Sequence, residues 1–171
     1  MTVIEYSRAS EATTLCKACG LCCTGHLFSW VRLKAAELTP LEKLGTTVIR
    51  NDPRQRGFLQ PCPMWDGTCS IYDSQHYPRG CDSYRCKLLR ELLDESVDLD
   101  KALRVVKQAK VKIRSVEKLL PPSAHVSFRE RLVEQLERGS STPGFRSKAD
   151  DVLDFFNDQC GVNDFLQKGD S

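Results

Sequence analysis

No stretch of this chain is apolar for long enough to cross a bilayer; every hydrophobic run falls short of the roughly 20 residues a spanning helix needs. Met1 to Leu15 alternates polar and apolar residues and has no apolar h-region, so it does not read as a secretory signal. The expected home is therefore a reducing cytoplasm. Neither sign of charge dominates. Lys and Arg number 25 against 23 Asp and Glu, a formal charge of +2, which is too mild to draw nucleic acid or a membrane by itself. The familiar catalytic signatures are also missing: there is no Ser-His-Asp order, no phosphate loop and no H-E-x-x-H. We find no internal repeat and no low-complexity tract.

What the chain does have is sulfur. Its 171 residues fit one domain better than two, and folding at this size buries roughly 70% of the extended chain's surface. With 40% hydrophobic and 28% charged residues, a core is possible without covalent staples. Yet there are nine cysteines, eight of them between Cys16 and Cys86, with Cys160 alone near the end. In a secreted chain this density means disulfides, which stay the alternative reading. In a reduced compartment it more often means metal.

The cysteines fall into two groups. The first is Cys16-x2-Cys19-x2-Cys22-Cys23, with Gly20 after the second; the other is Cys62-Pro63-x5-Cys69-x11-Cys81-x4-Cys86. A two-residue gap lets both sulfurs of a tight turn reach one ion, because the turn's amides face the thiolates and offset their charge. Three ligands from one loop plus a distant cysteine followed by proline is how bacterial ferredoxins hold a cubane, and Cys62-Pro63 suits the distant position. Cys22 and Cys23 sit awkwardly on a single ion, since neighbouring side chains on extended backbone point to opposite faces. Eight thiolates suffice for two four-ligand sites, for a cubane and a zinc, or for one site with spare thiols, and spacing does not choose among these. The expected ligands are Cys16, Cys19, Cys22, Cys23, Cys62, Cys69, Cys81 and Cys86, for an iron–sulfur cluster or zinc, with a slight lean to iron–sulfur. Cys160 has no partner at a ligand spacing and reads as core packing.

The remaining pattern predicts an α+β fold, mainly α, with an irregular cysteine-rich half packed on a small helical bundle. Residues 1–139 form one metal-binding domain, with ligands within 16–86 and helices over 87–138; 140–171 supply a Ser-Ser-Thr-Pro-Gly joint and a short helical segment. Thr39-Pro40-Leu41-Glu42 reads as the start of a short helix that Gly45 closes. Thr46–Arg50 and Gly57–Gln60 read as a hairpin around Asn51-Asp52-Pro53, and Asp66-Gly67 as a turn before a strand-like Ser70-Ile71-Tyr72. After Cys86 the chain turns helical. Leu88, Leu89, Leu92 and Leu93 make one stripe, starting near Asp82 or Ser83. Asp98 or Asp100 caps a second helix in which Leu99, Ala102, Val106, Ala109, Ile113, Val116 and Leu120 recur at threes and fours until Pro121-Pro122. Ser127-x-x-Glu130 opens a third, with Leu132, Val133 and Leu136 inward. Val152, Leu153 and Phe156 mark the last amphipathic piece.

Two blocks resemble the CxxCxxCC family of zinc- or iron-chelating proteins. One is Cys16-Lys17-Ala18-Cys19-Gly20-Leu21-Cys22-Cys23. The other runs from Pro61-Cys62-Pro63 through Asp66-Gly67-Thr68-Cys69-Ser70-Ile71-Tyr72 to Pro78-Arg79-Gly80-Cys81-Asp82-Ser83-Tyr84-Arg85-Cys86. Together they cover the first half of the chain. The family pattern has an arginine before the proline and a shorter step from the tyrosine; here Tyr77 precedes Pro78, and Asp73-Ser74-Gln75-His76 lengthens the step. The resemblance implies zinc or iron binding and little about reaction. The family includes larger flagellin lysine methylases whose cluster is assigned to iron–sulfur. This short chain has no G-x-G-x-x-G after a strand, so methyl transfer by it alone is not expected.

His26, three positions after Cys23, and His76 read as groups beside the metal rather than ligands, and His125 as solvent-facing. Lys101, Arg104, Lys107, Lys110, Lys112, Arg114 and Lys118 give the second helix a basic face with no aromatic platform, more in keeping with a solvated face than with RNA or DNA. Asp94, Glu95, Asp98 and Asp100 read as capping groups. The expected function is metal chelation in a structural or redox role. The alternative is a metal-dependent enzyme or protein-modifying component acting with a partner. An adaptor working through the basic helix is weaker still. The expected partner is a metal ion, with a protein partner as a further option and neither nucleic acid nor membrane.

Overall fold

The computed structural model describes residues 3–139 and 142–166; Ser140 and Ser141 of the expected joint, and positions 167–171, lie outside the described residues. The fold is α+β and mainly α, about 50% helical, with seven helices and a three-stranded sheet among the described residues. None of these helices is long and apolar enough to cross a membrane. The chain divides into two compact units. A helical unit gathers α1 (Val3–Cys19), the segment Arg85–Pro122 and the chain from Arg129 onward, and a sheet unit holds Gly20–Tyr84 with Ser123–Phe128.

The helical unit follows the stripes read from sequence. Asp98 caps α5 (Leu99–Glu117), accepting a 2.6 Å bond from the Lys101 amide, and Ala102, Val106, Ala109, Ile113 and Val116 form its buried face. On α4 (Lys87–Leu93), Leu88, Leu89 and Leu92 are buried with Leu15 of α1, Ala102 and Val106. This helix starts later than expected: α3 (Arg79–Ser83) ends before extended Tyr84, and Cys86 is the cap of α4. An unexpected helix is α1 itself. Its serines, threonines and β-branched residues are weak helix formers, but Ala12, Leu15, Cys16 and Cys19 recur at threes and fours and pack on the α4–α5 core. After α6 (Phe128–Glu137), Thr142 caps α7 (Pro143–Phe155), with proline at its first position. Phe145, Ala149 and Val152 bury α7 alongside α5, and a π-helical turn, Phe156–Cys160, continues it to left-handed Gly161.

In the sheet unit, β1 (Trp30–Arg32), β2 (Val48–Ile49) and β3 (Gly57–Leu59) pair antiparallel in the order β1-β3-β2. Val48 and Val31 both face Phe58 across the register, so the expected hairpin is present, shortened, with β1 added on its other edge. Leu33, Leu38, Leu41 and Phe58 form the core, and Cys62, Ile71 and Cys81 pack against it. Burying Phe58 contributes roughly 2–3 kcal/mol. Two local expectations are corrected here. The short helix α2 spans Ala35–Lys43, with Lys34 rather than Thr39 as its cap and Pro40 inside. Glu37 reaches back to accept the Lys34 amide at 2.7 Å, and buried Leu38 and Leu41 outweigh the hydrogen bond that Pro40 cannot make. Ser70-Ile71-Tyr72 is a series of turns, not a strand, because no neighbouring segment offers it a ladder; only Trp65 and Cys69 pair around Asp66-Gly67.

Candidate metal centre

No disulfide joins the nine cysteines; eight are half-buried, and Cys160 is buried at 5% exposure. The two units divide them. Cys16, Cys19, Cys86 and Cys160 belong to the helical unit; Cys22, Cys23, Cys62, Cys69 and Cys81 belong to the sheet unit.

Three separate segments converge in the sheet unit. The Cys62 amide donates to the Cys23 carbonyl at 2.7 Å, pinning the two cysteine blocks together. The Trp65 amide returns to the Cys62 carbonyl at 3.1 Å, and the Asp66-Gly67 turn, closed by the Trp65–Cys69 bridge, folds Cys69 back toward Cys62. Cys81 arrives on α3, which Glu37 holds by accepting the Arg79 amide at 2.8 Å, while Gly80 lies against the Arg32 carbonyl. Gly20 (φ 67°) sits under the Trp65 indole so closely that a methyl group there would overlap the ring.

Cys23, Cys62, Cys69 and Cys81 line one cavity of about 30 Å³, walled by Leu41, Phe58 and Ile71. That is room for an ion or a water or two, far below the 300–1,000 Å³ of an organic-substrate pocket. Burial pushes the Cys81 thiol up to about 12, helped by the neighbouring Cys62 and Cys69 and by Glu37 and Asp82. Burial also raises Cys62, partly offset by the Met64 amide, with Cys69 adding to the rise. The same cavity is lined by Thr46 and Gln60, 4% and 3% exposed, whose Oγ1 and Oε1 have no hydrogen-bond partner. Nothing in the sequence singled out either residue.

In the helical unit, Cys16 and Cys19 stand at the end of α1, three residues apart on one face, rather than in the turn their spacing suggested. The Cys86 sulfur accepts the Leu89 amide at 3.4 Å as the cap of α4. Burial pushes Cys16 up to about 11, with the Cys86 thiol adding to the rise and Arg85 opposing it. Cys86 is raised by burial and lowered by the Leu89 amide and Arg90. Cys160 reaches about 12 through burial first, then through Cys86 and Cys19. It is buried as a core residue.

Among the described residues, no three or more His, Cys, Asp and Glu side chains are disposed, as they stand, to hold a metal ion. His26 lies against the Phe128 ring at 5.1 Å, and His76 and His125 are exposed. On the basic helix, Lys110 donates to the Ala18 carbonyl at 2.8 Å and Lys112 pairs with Asp151 at 2.6 Å, so part of that face holds the helical unit together. Asp94 ends α4 and accepts from both the amide and the hydroxyl of Ser96, closing a local turn, and Asp98 is the residue that caps α5.

Comparison of the chain with protein-family models, with curated proteins and with solved structures yields no match.

Proposed function

We propose that this protein chelates iron, as an iron–sulfur cluster or as the ion, or zinc through its cysteine cluster, in a structural or redox role. The observation that supports this best is the sheet-unit cavity, where four thiols from three separated segments line an ion-sized space. Soft thiolate donors suit zinc and iron–sulfur and exclude hard ions such as magnesium and calcium. Burial with neighbouring thiols keeps these groups protonated, so a metal would displace protons and draw the sulfurs in, coupling binding to the final folding of the loops. The Thr46 and Gln60 oxygens are polar groups near the sulfurs that an ion and its surroundings could satisfy. The resemblance of both cysteine blocks to the zinc- or iron-chelating CxxCxxCC proteins points the same way.

The test is strictly anaerobic purification with metal analysis and an absorption spectrum. A brown protein with acid-labile sulfide, or a colourless one holding stoichiometric zinc, supports chelation and names the metal. A protein that carries no metal, and takes up neither zinc nor iron when these are supplied under reducing conditions, overturns it.

A further inference from the structure

We propose that the helical unit holds a second metal site of its own, in which Cys160 joins Cys16, Cys19 and Cys86 as the fourth thiolate ligand to a tetrahedral divalent ion. This rests on the chelation reading and extends it to a cysteine outside both sequence blocks.

The argument begins with where the C-terminal turn is anchored. The π-helical turn Phe156–Cys160 packs on α4. Lys87, the first residue of α4, donates its ammonium to the Asp158 carbonyl at 2.6 Å. A Cβ on Gly161 would touch the Lys87 Cβ at 3.2 Å. The end of the turn therefore lies on the first turn of α4, the helix that Cys86 caps. Helix α1 also packs on α4 and brings the face bearing Cys16 and Cys19 into the same apolar cluster as Cys86. Lys110 of α5 fixes that end of α1 through the Ala18 carbonyl. As they stand the four thiols do not surround one ion, so metal binding must draw together the cysteine-bearing ends of α1, α4 and the C-terminal turn, which already pack on one another.

Electrostatics and count support the assignment. Four thiolates around a divalent ion leave a double negative charge, which needs cations nearby when buried. Arg85 adjoins Cys86 in the chain, and Arg90 follows one turn along α4. Zinc sites closed by four cysteines are the ordinary structural kind. The nine thiols then resolve into two sets of four, one in each unit, with Cys22 left over. Its neighbour Cys23 lines the sheet-unit cavity, and two adjacent side chains do not comfortably share one ion.

Anaerobic titration of the full chain with cobalt(II) alone tests this. The wild type is expected to bind two equivalents with tetrathiolate absorption. Cys160→Ala is expected to lose one of them under chelator competition, with about half the sulfur-to-cobalt charge-transfer intensity, while keeping its helical circular dichroism; Cys160→Val, which refills the core, should behave the same. Independently of any substitution, wild-type protein loaded with cadmium-113 should show scalar coupling from the metal to the Cys160 β-protons. Two undiminished equivalents in both variants, or bound cadmium with no coupling to Cys160, overturn this inference and leave chelation standing. A wild type that binds neither cobalt nor cadmium overturns chelation itself.

Discussion

Individual residues around the thiols set three expectations. Gly20 combines a left-handed φ with the Trp65 ring where a side chain would start. Gly20→Ala is therefore expected to destabilise the sheet unit by about 2–4 kcal/mol, read from the denaturant midpoint of the metal-free protein. Thr46 presents the opposite case. Its buried hydroxyl has no partner, so Thr46→Val keeps the shape and removes an unsatisfied group. In the metal-free protein this should be neutral or stabilising by up to about 1 kcal/mol, and a loss larger than that would mean the hydroxyl has a partner after all. The third expectation concerns protons. With Cys16 held near 11 and Cys81 near 12, these thiols are neutral at pH 7, and each ligand that binds metal as thiolate must release its proton. Rising pH removes that competition, so zinc affinity should be tighter at pH 8 than at pH 6.5. Calorimetry in buffers of different ionisation enthalpy would count the protons released; a pH-independent affinity would show that the ligands are thiolates before metal arrives.

At the scale of elements, α5 is the most self-sufficient piece of the molecule, with a stripe of small and branched residues and a side-chain cap. Asp98→Ala removes the acceptor for the Lys101 amide and should cost about 1 kcal/mol of helical-unit stability, seen as a shift of the thermal or denaturant midpoint. The hairpin β2–β3 stands differently. Its strands are two and three residues long, too short to persist by pairing alone, and it depends on Phe58 and the leucines of α2. Cysteines sit on the same core, so hairpin and thiol cavity should form or fail together.

Across the whole molecule the two units differ in what holds them. The helical unit buries long stripes on α4, α5 and α7, whereas the sheet unit has short strands, turns and a core that includes cysteine. On the proposed chelation, removing metal with a chelator under reducing conditions is expected to loosen Gly20–Tyr84 while most of the helical circular dichroism persists. Limited proteolysis with fragment sequencing should place the new cuts between Gly45 and Tyr84. Equal resistance with and without chelator would mean that the sheet unit's own core suffices.

Much of this architecture could be read in advance. The stripes of α4 and α5, the Asp98 cap, the proline stop and the hairpin around Asn51-Asp52-Pro53 all rest on local rules of period and turn chemistry, which a sequence carries explicitly. The density of cysteines was equally plain. What could not be read is which thiols become neighbours. Spacing grouped Cys16, Cys19 and Cys22 as one loop, whereas the first two end a helix whose weakly helical sequence is stabilised by packing on α4. It set Cys160 apart for want of a nearby cysteine, whereas the turn that carries it is docked by Lys87 onto the helix capped by Cys86. Thr46 and Gln60 became cavity residues for the same reason. Periodicity and capping are decided within one turn of chain and so belong to the sequence; the company a thiol keeps is decided by burial between segments far apart in it, and only the tertiary structure settles that.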